Sequence, residues 1–348
     1  MKKMILTSML ALVCTSAGLH TFAQTSPPAG KLAAEVAAAA DKFLATLDES
    51  QRAKVVYKFN DETQRKRWSN LPTTMVKRGG LRMGDLTKPQ RDAVQALLNA
   101  ALSKSGAEKV VQIVEGDEIL KKADRGGGGG PGGPAMFGHD EYYISLVGQP
   151  SATEPWMIQF GGHHLGINVT LAGEHATLAP SHTGVQPAIY EFEGKTVRPL
   201  GHEVDKAFAL MGSLDEAQRK QAILGSQMRD LVLGPGRDGQ TIQPEGIKGS
   251  ALTEKQREML LDLASEWTGI MNEDVAKGKM AEMKQHLAET WFAWSGPTEK
   301  GSAAYFRIQG PTVIIEFAPQ RLGGDATKHI HTIYRDPTNE YGAKWWTK

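Results

Sequence analysis

The chain has 348 residues, with 40 Lys and Arg against 39 Asp and Glu for a formal charge of +1, and it is 40% hydrophobic and 23% charged. Those proportions exclude a disordered, collagen-like or multi-span membrane protein. A charge so near zero also argues against a general nucleic-acid binder, which carries a basic excess.

At the N-terminus, Lys2 and Lys3 precede an apolar run over residues 4–13, and small residues follow up to Ala23. The run is too short to span a bilayer, and the pattern predicts a secretory signal peptide over 1–23. Cleavage after Ala23 removes Cys14, the one cysteine. The mature protein is then expected to be exported, periplasmic or extracellular, with no disulfide and no thiolate ligand. Any metal is left to His, Asp, Glu, Asn or backbone oxygen. No later segment is long and apolar enough to span a membrane.

The next signal is Leu47-Asp48-Glu49-Ser50-Gln51-Arg52. Its pattern recurs from Leu86, from Leu214 and from Leu252. Each copy sets Asp or Thr three residues before Gln, which is a capping box: both side chains satisfy free N–H groups at a helix start. Apolar residues at helical spacing follow, as in Val94, Leu97, Leu98 and Leu102, or Met259, Leu260, Leu263 and Trp267. Pro89 falls in a first turn, where its missing N–H costs nothing. After each helix pair comes a strand-rich stretch, over 142–171 and over 291–317, with Gly148 and Gly296 at the turns. Both stretches carry an Ile-Gln step, at Ile158-Gln159 and Ile308-Gln309.

The helix pairs start at 47 and 86, and at 214 and 252, so their spacing is nearly equal. This predicts an α+β fold of two similar halves, about 31–200 and 201–348. Each half is a helix pair followed by an antiparallel β-hairpin, packed around a shared sheet and core in a single domain over 24–348. The Gly/Pro tract at 126–134 reads as a solvated surface loop. It lacks the Gly-Lys-Ser/Thr ending of a phosphate-binding loop.

Among the 10 histidines, two groups stand out. In Gly162-His163-His164-Leu165-Gly166-Ile167-Asn168, strand alternation puts His163 with Leu165 and Ile167 on a core side. His164 shares the other side with Gly166 and Asn168, and is the better metal ligand. His329 and His331 lie two residues apart, so an extended backbone points both rings to one side, where they can chelate one ion. Glu316 sits on the apolar strand Val313-Ile314-Ile315-Glu316-Phe317, where burial needs a partner; a metal, Arg321 and Arg335 are the candidates.

Several of these segments carry a family resemblance. They are Arg78-Gly79-Gly80-Leu81, Pro155-Trp156, Gly162-His163-His164-Leu165 with Asn168, Ile315-Glu316-Phe317-Ala318-Pro319-Gln320, and the tail from His329-Ile330-His331 to Tyr341-Gly342. The set resembles the family catalogued as domain of unknown function 3500, over nearly the whole mature chain. The resemblance implies an exported bacterial protein and assigns no reaction. The spacing from Gly323 through His329, His331 and Asp336 to Gly342 also resembles the first metal motif of cupin barrels. Here Asp stands for the usual Glu, and the helix-rich sequence departs from a barrel, so the likeness is one of ligand logic.

The chemistry expected is that of an exported metal-dependent enzyme. His164, Glu316, His329 and His331 would hold zinc, iron or copper, since imidazoles with a carboxylate suit these better than magnesium. His163 or Asp336 would move protons, and Arg335 would clamp an anionic small-molecule substrate. Asn168, Trp156 and Tyr334 are candidate substrate contacts. Zinc would serve hydrolysis, and iron or copper oxidation. Two alternatives are a non-catalytic ligand- or metal-binding protein and a metal-free acid–base enzyme. No Gly-x-Ser-x-Gly nucleophile signal is present.

Overall fold

The structure is a computed structural model that describes residues 29–123, 136–321 and 324–346. The expected signal peptide and the Gly/Pro tract at 126–134 lie outside the described residues. Helices α1 (Ala29–Ala45) and α2 (Glu49–Val55) come first, then strand β1 (Val56–Tyr57), one-turn helix α3 (Glu62–Arg65) and strand β2 (Leu81–Arg82). Two long helices follow, α4 (Lys88–Ala101) and α5 (Lys104–Ala123). The strands β3 (Tyr143–Val147), β4 (Trp156–Gly161), β5 (Leu165–Ala172), β6 (His175–Thr177) and β7 (Ser181–Val185) come next, with the outlying pair β8 (Tyr190–Phe192) and β9 (Lys195–Val197). The remainder runs α6 (Gly201–Ser213), α7 (Glu216–Ala222), β10 (Ile247–Lys248), α8 (Glu254–Thr268), α9 (Glu273–Gln285), β11 (Trp291–Ser295), β12 (Tyr305–Gly310), β13 (Val313–Pro319) and β14 (Ile330–Arg335).

The helix starts follow the expected capping. Asp48 with Gln51, Asp215 with Gln218 and Thr253 with Gln256 each exchange both capping-box hydrogen bonds. The Thr87 N–H donates to Gln90 Oε1 at 2.9 Å. The capping glutamines also meet one another: Gln90 Nε2 donates to Gln51 Oε1, and Gln256 Nε2 to Gln218 Oε1, each at 2.9 Å. One residue type thus caps a helix and ties two helix starts together.

The architecture is a mixture of helices with one large mixed sheet. Twelve strands join in the order β1-β3-β4-β5-β7-β14-β13-β12-β11-β10, with β2 paired to β3 and β6 to β5. Only β1 with β3 is parallel among these named pairs. Directly paired residues share a face, so the register sorts the side chains. One face carries Ile144, Phe160 and Ile167 in one arm and Phe292, Ile308 and Ile315 in the other. These join a single buried core with Phe43, Leu97, Leu263 and Trp267 of the helices.

The opposite face is buried yet polar. Ser145, Gln159 and Asn168 line up across β3, β4 and β5, and Arg307 pairs with Glu316 across β12 and β13. One-turn helix α3 and irregular segments cover it and hydrogen-bond with much of it. Gln64 Nε2 reaches Ser145 Oγ at 3.1 Å and Gln159 Oε1 at 2.9 Å. Farther along the sheet, Met228 N–H donates to Ser295 Oγ at 3.0 Å, and Gln309 Nε2 to the Ile242 carbonyl at 2.6 Å. A buried polar face is stable only when it is paired in this way. Among the described residues, no helix is long and apolar enough to cross a membrane.

Candidate metal centre

Strand β4 ends at Gly161 and β5 starts at Leu165, so His163 and His164 occupy the hairpin turn between them. Strand alternation, which predicted opposite sides for the two rings, does not operate in a turn. Both rings enter one buried cluster, where His163 could also serve as a ligand. His329 leads into β14 and His331 lies on it, so these two rings share a side as expected. β14 pairs with β7, and β7 with the start of β5, which brings the two histidine groups together across the middle of the sheet. Gly184 on β7 makes the approach possible. Its N–H donates to the His164 carbonyl at 2.7 Å. A Cβ there would lie 2.9 Å from His164 Cδ2 and 3.0 Å from His331 Cδ2, closer than side chains tolerate.

One donor atom from each of His163, His164, His329 and His331 lies within 4.8 Å of all the others. Their exposures are 6%, 0%, 6% and 4%, so the cluster is closed to bulk water. His164 Nε2 is 3.2 Å from His329 Nε2, which is 3.0 Å from His331 Nε2. Ligands at about 2.0–2.1 Å from a common ion stand roughly 3.3 Å apart in a tetrahedron and roughly 2.9 Å apart as octahedral neighbours. The observed separations fall in that range.

The tautomer of His164 is fixed from outside the cluster. Its Nδ1–H donates to Asp117 Oδ1, a carboxylate on α5 that is itself buried. Asp117 Oδ2 accepts a second hydrogen bond, from the Tyr142 hydroxyl at 2.6 Å. The lone pair of His164 is therefore on Nε2, facing His329. Without an ion, His329 Nε2 could satisfy both close neighbours only by sharing one proton between them. A cation accepts all these lone pairs at once. A carboxylate behind a ligating imidazole is also the usual support of metal-bound histidine. His331 Nδ1 is 3.2 Å from the side-chain amide of Asn70.

The electrostatics agree with this chemistry. Burial, reinforced by the neighbouring imidazoles, holds His163, His164 and His331 well below the usual histidine range. They are neutral at pH 7, the form that binds metal. Burial pushes the Asp117 carboxyl up to about 6, against the opposing effect of nearby histidines and Tyr142. It is ionised at neutral pH and leaves a negative charge beside the neutral rings of His163, His164 and His331. His182 on β7 lies next to His331, with ring centroids 5.2 Å apart, and its Nδ1–H donates to the Thr332 carbonyl at 2.8 Å. Burial lowers it to about 4 although that hydrogen bond opposes the shift. The four imidazoles, with Asp117 behind one of them, could hold a transition-metal ion.

The other candidates sit elsewhere. Glu316 is not among the clustered donors: Oε1 accepts from Val232 N–H at 3.0 Å and Tyr305 OH at 2.5 Å, and Oε2 from Leu233 N–H at 2.7 Å. On the polar sheet face it anchors the covering segment instead. Arg335 donates Nε to the Leu233 carbonyl at 2.6 Å and Nη2 to Gly234 at 2.9 Å, and pairs with Glu340. Asp336 accepts from Lys279 at 2.6 Å and caps the following turn through Thr338. Asn168 bridges Gln159 and the Pro180 carbonyl, at 2.9 and 2.8 Å. Trp156 and Tyr334 belong to the core beneath the helices.

The model of a family described as "Protein of unknown function (DUF3500)" matches residues 29–343. No curated protein and no solved structure matches the chain.

Proposed function

The chain belongs to the DUF3500 family, and we propose that it is a metal-dependent enzyme, hydrolytic or oxidative on a small molecule. Zinc, iron or copper would be held by His163, His164, His329 and His331. The observation that carries this reading is the convergence of four buried donors with a carboxylate fixing the tautomer of one. A bound ion of this kind would supply Lewis acidity or an open redox-active position. Asp117 keeps His164 in its ligating tautomer and compensates charge. The Tyr142 hydroxyl, held well above its usual range by burial and by Asp117, stays protonated as a donor to that carboxylate. Phe137 packs on the His163 ring at 5.2 Å and helps exclude water.

A second reading is a non-catalytic metal-binding protein. It is favoured by the closure of the site, since four imidazoles saturate a tetrahedral ion and leave no open position. Metal content of protein purified without an affinity tag, with titration of the chelator-treated form, tests both. Near-stoichiometric metal lost in His329→Ala and His331→Ala supports a metal centre, and no uptake by the parent overturns it. X-ray absorption at the bound metal then separates the two: a non-protein ligand supports the enzyme, and four nitrogens alone support the closed site.

We also infer that the chain is exported and duplicated. Export rests on Lys2, Lys3, the apolar run at 4–13 and Ala23. Duplication over about 31–200 and 201–348 is supported by matching neighbours. Short strands β2 and β10 each run antiparallel to the first long strand of their half, pairing Leu81 with Ile144 and Ile247 with Phe292. β1 runs parallel to β3, as the bridge from Ile223 to Trp294 does in the second half. On this register Phe160 corresponds to Ile308 and Gln159 to Arg307. The two Ile-Gln steps are therefore offset by two residues.

A further inference from the structure

A cavity of about 260 Å³ lies between α6 and the apolar face of the sheet. Its inner wall is Phe306, Phe317 and Ile330, from β12, β13 and β14, and its outer wall includes Val204 and Phe208 of α6. The wall residues on the strands are 1%, 4% and 5% exposed, so the interior is apolar and sheltered. Protein interiors are close-packed, and apolar space of this size is uncommon in them. Its volume approaches the lower end of the range for small-molecule sites. The lining has two charged groups, Arg198 and Lys328, and both are cationic. Arg198 pairs with Asp205 at 2.9 Å and Lys328 stands 3.9 Å from Asp325, and neither carboxylate lines the cavity. Ile189, beside them, is 58% exposed, an apolar residue at the rim.

We propose that this cavity is a binding site for a medium-chain carboxylic acid, its hydrocarbon tail against Phe306, Phe317 and Ile330 and its carboxylate toward Arg198 and Lys328. At about 30 Å³ for each carbon-sized unit, the share a water takes in the liquid, the space holds roughly nine such units. A planar guanidinium matches a carboxylate in two parallel hydrogen bonds, which favours an acid over an alcohol of the same length. The site does not depend on the metal centre. It lies on the opposite side of β14, where Ile330 faces the helices between His329 and His331.

Calorimetric titration of the full chain with decanoate, and in parallel with decanol, tests this site. One decanoate should bind per chain, at least about tenfold more tightly than decanol. Val204→Phe fills the cavity and should abolish binding of both. Arg198→Gln, at a half-exposed position that leaves the core intact, should weaken decanoate about tenfold and leave decanol unchanged. Circular dichroism confirms that each variant is folded; if Val204→Phe is not, Arg198→Gln with Lys328→Gln carries the test. No decanoate binding by the parent overturns the site, and so does binding that survives in a folded Val204→Phe protein. Equal affinity for acid and alcohol overturns the assigned headgroup.

Discussion

Replacing Asp117 by Asn should shift the metal-free and metal-loaded proteins in opposite directions. Asn keeps the size of the side chain: its oxygen can accept from His164 Nδ1–H, and its amide can donate to a Tyr142 hydroxyl that turns to accept. What is lost is the charge. In the metal-free protein that charge is a burden, because burial raises the carboxyl from 3.8 to about 6. A folded-state pKa above the unfolded one adds nothing below pH 4, and stability falls as pH rises through 6. The shift amounts to a penalty of up to roughly 3 kcal/mol at pH 7. Metal-free Asp117→Asn should therefore be the more stable protein at pH 7, with the difference vanishing near pH 4. In the loaded protein the carboxylate stabilises a ligand of a cation, and its loss should cost about 10–100-fold in affinity, or roughly 1.4–2.7 kcal/mol. Urea denaturation in chelator at several pH values measures the first effect, and competition with a chromophoric chelator the second. Unchanged metal affinity in a folded Asp117→Asn protein, beside a clear loss in His329→Ala, would refute the role given to the charge.

Further outcomes follow from the same geometry. His182 has a folded-state value of about 4 against 6.5 unfolded, so its contribution is lost as pH falls. Between pH 7 and pH 5 the metal-free parent should lose about 2 kcal/mol more than His182→Asn, read by urea denaturation. Gly184→Ala introduces a methyl against both His164 and His331. It should lower metal affinity at least about tenfold in the chelator competition, since displaced ligands lose much of their binding energy. Glu316→Gln leaves a buried N–H of Val232 or Leu233 facing an amide and should cost about 2–3 kcal/mol of stability, while metal stoichiometry stays at the parental value.

Much of the architecture was legible because it rests on local chemistry. Asp48, Thr87, Asp215 and Thr253 mark helix starts through spacing alone, and His329 with His331 share a side by strand alternation. The errors arose where alternation stopped or where a distant segment intervened. Strand alternation groups His163 with Leu165 and Ile167, but the residue stands in the turn between β4 and β5, where alternation does not hold. Glu316 looked like a ligand because nothing local could reveal that residues 232 and 233 return to cover it. Asp117 was missed, although a signal was present. It continues the helical stripe of Val110 and Ile113, so a carboxylate falls where an apolar residue is expected. Such a residue needs a buried partner, but the 47 positions separating it from His164 hide which one.

The position of β14 has a consequence for how the chain assembles during synthesis. It is the last strand of the described chain, yet it lies in the interior of the sheet, hydrogen-bonded to β7 on one side and β13 on the other. Until residues 330–335 leave the ribosome, both neighbours are open edges, each able to pair with another chain. Chains emerge at about 5–20 residues per second, so the arm ending at β7 waits roughly 7–30 seconds for its partner strand. The two arms become one sheet, and the four imidazoles one cluster, in the same late event.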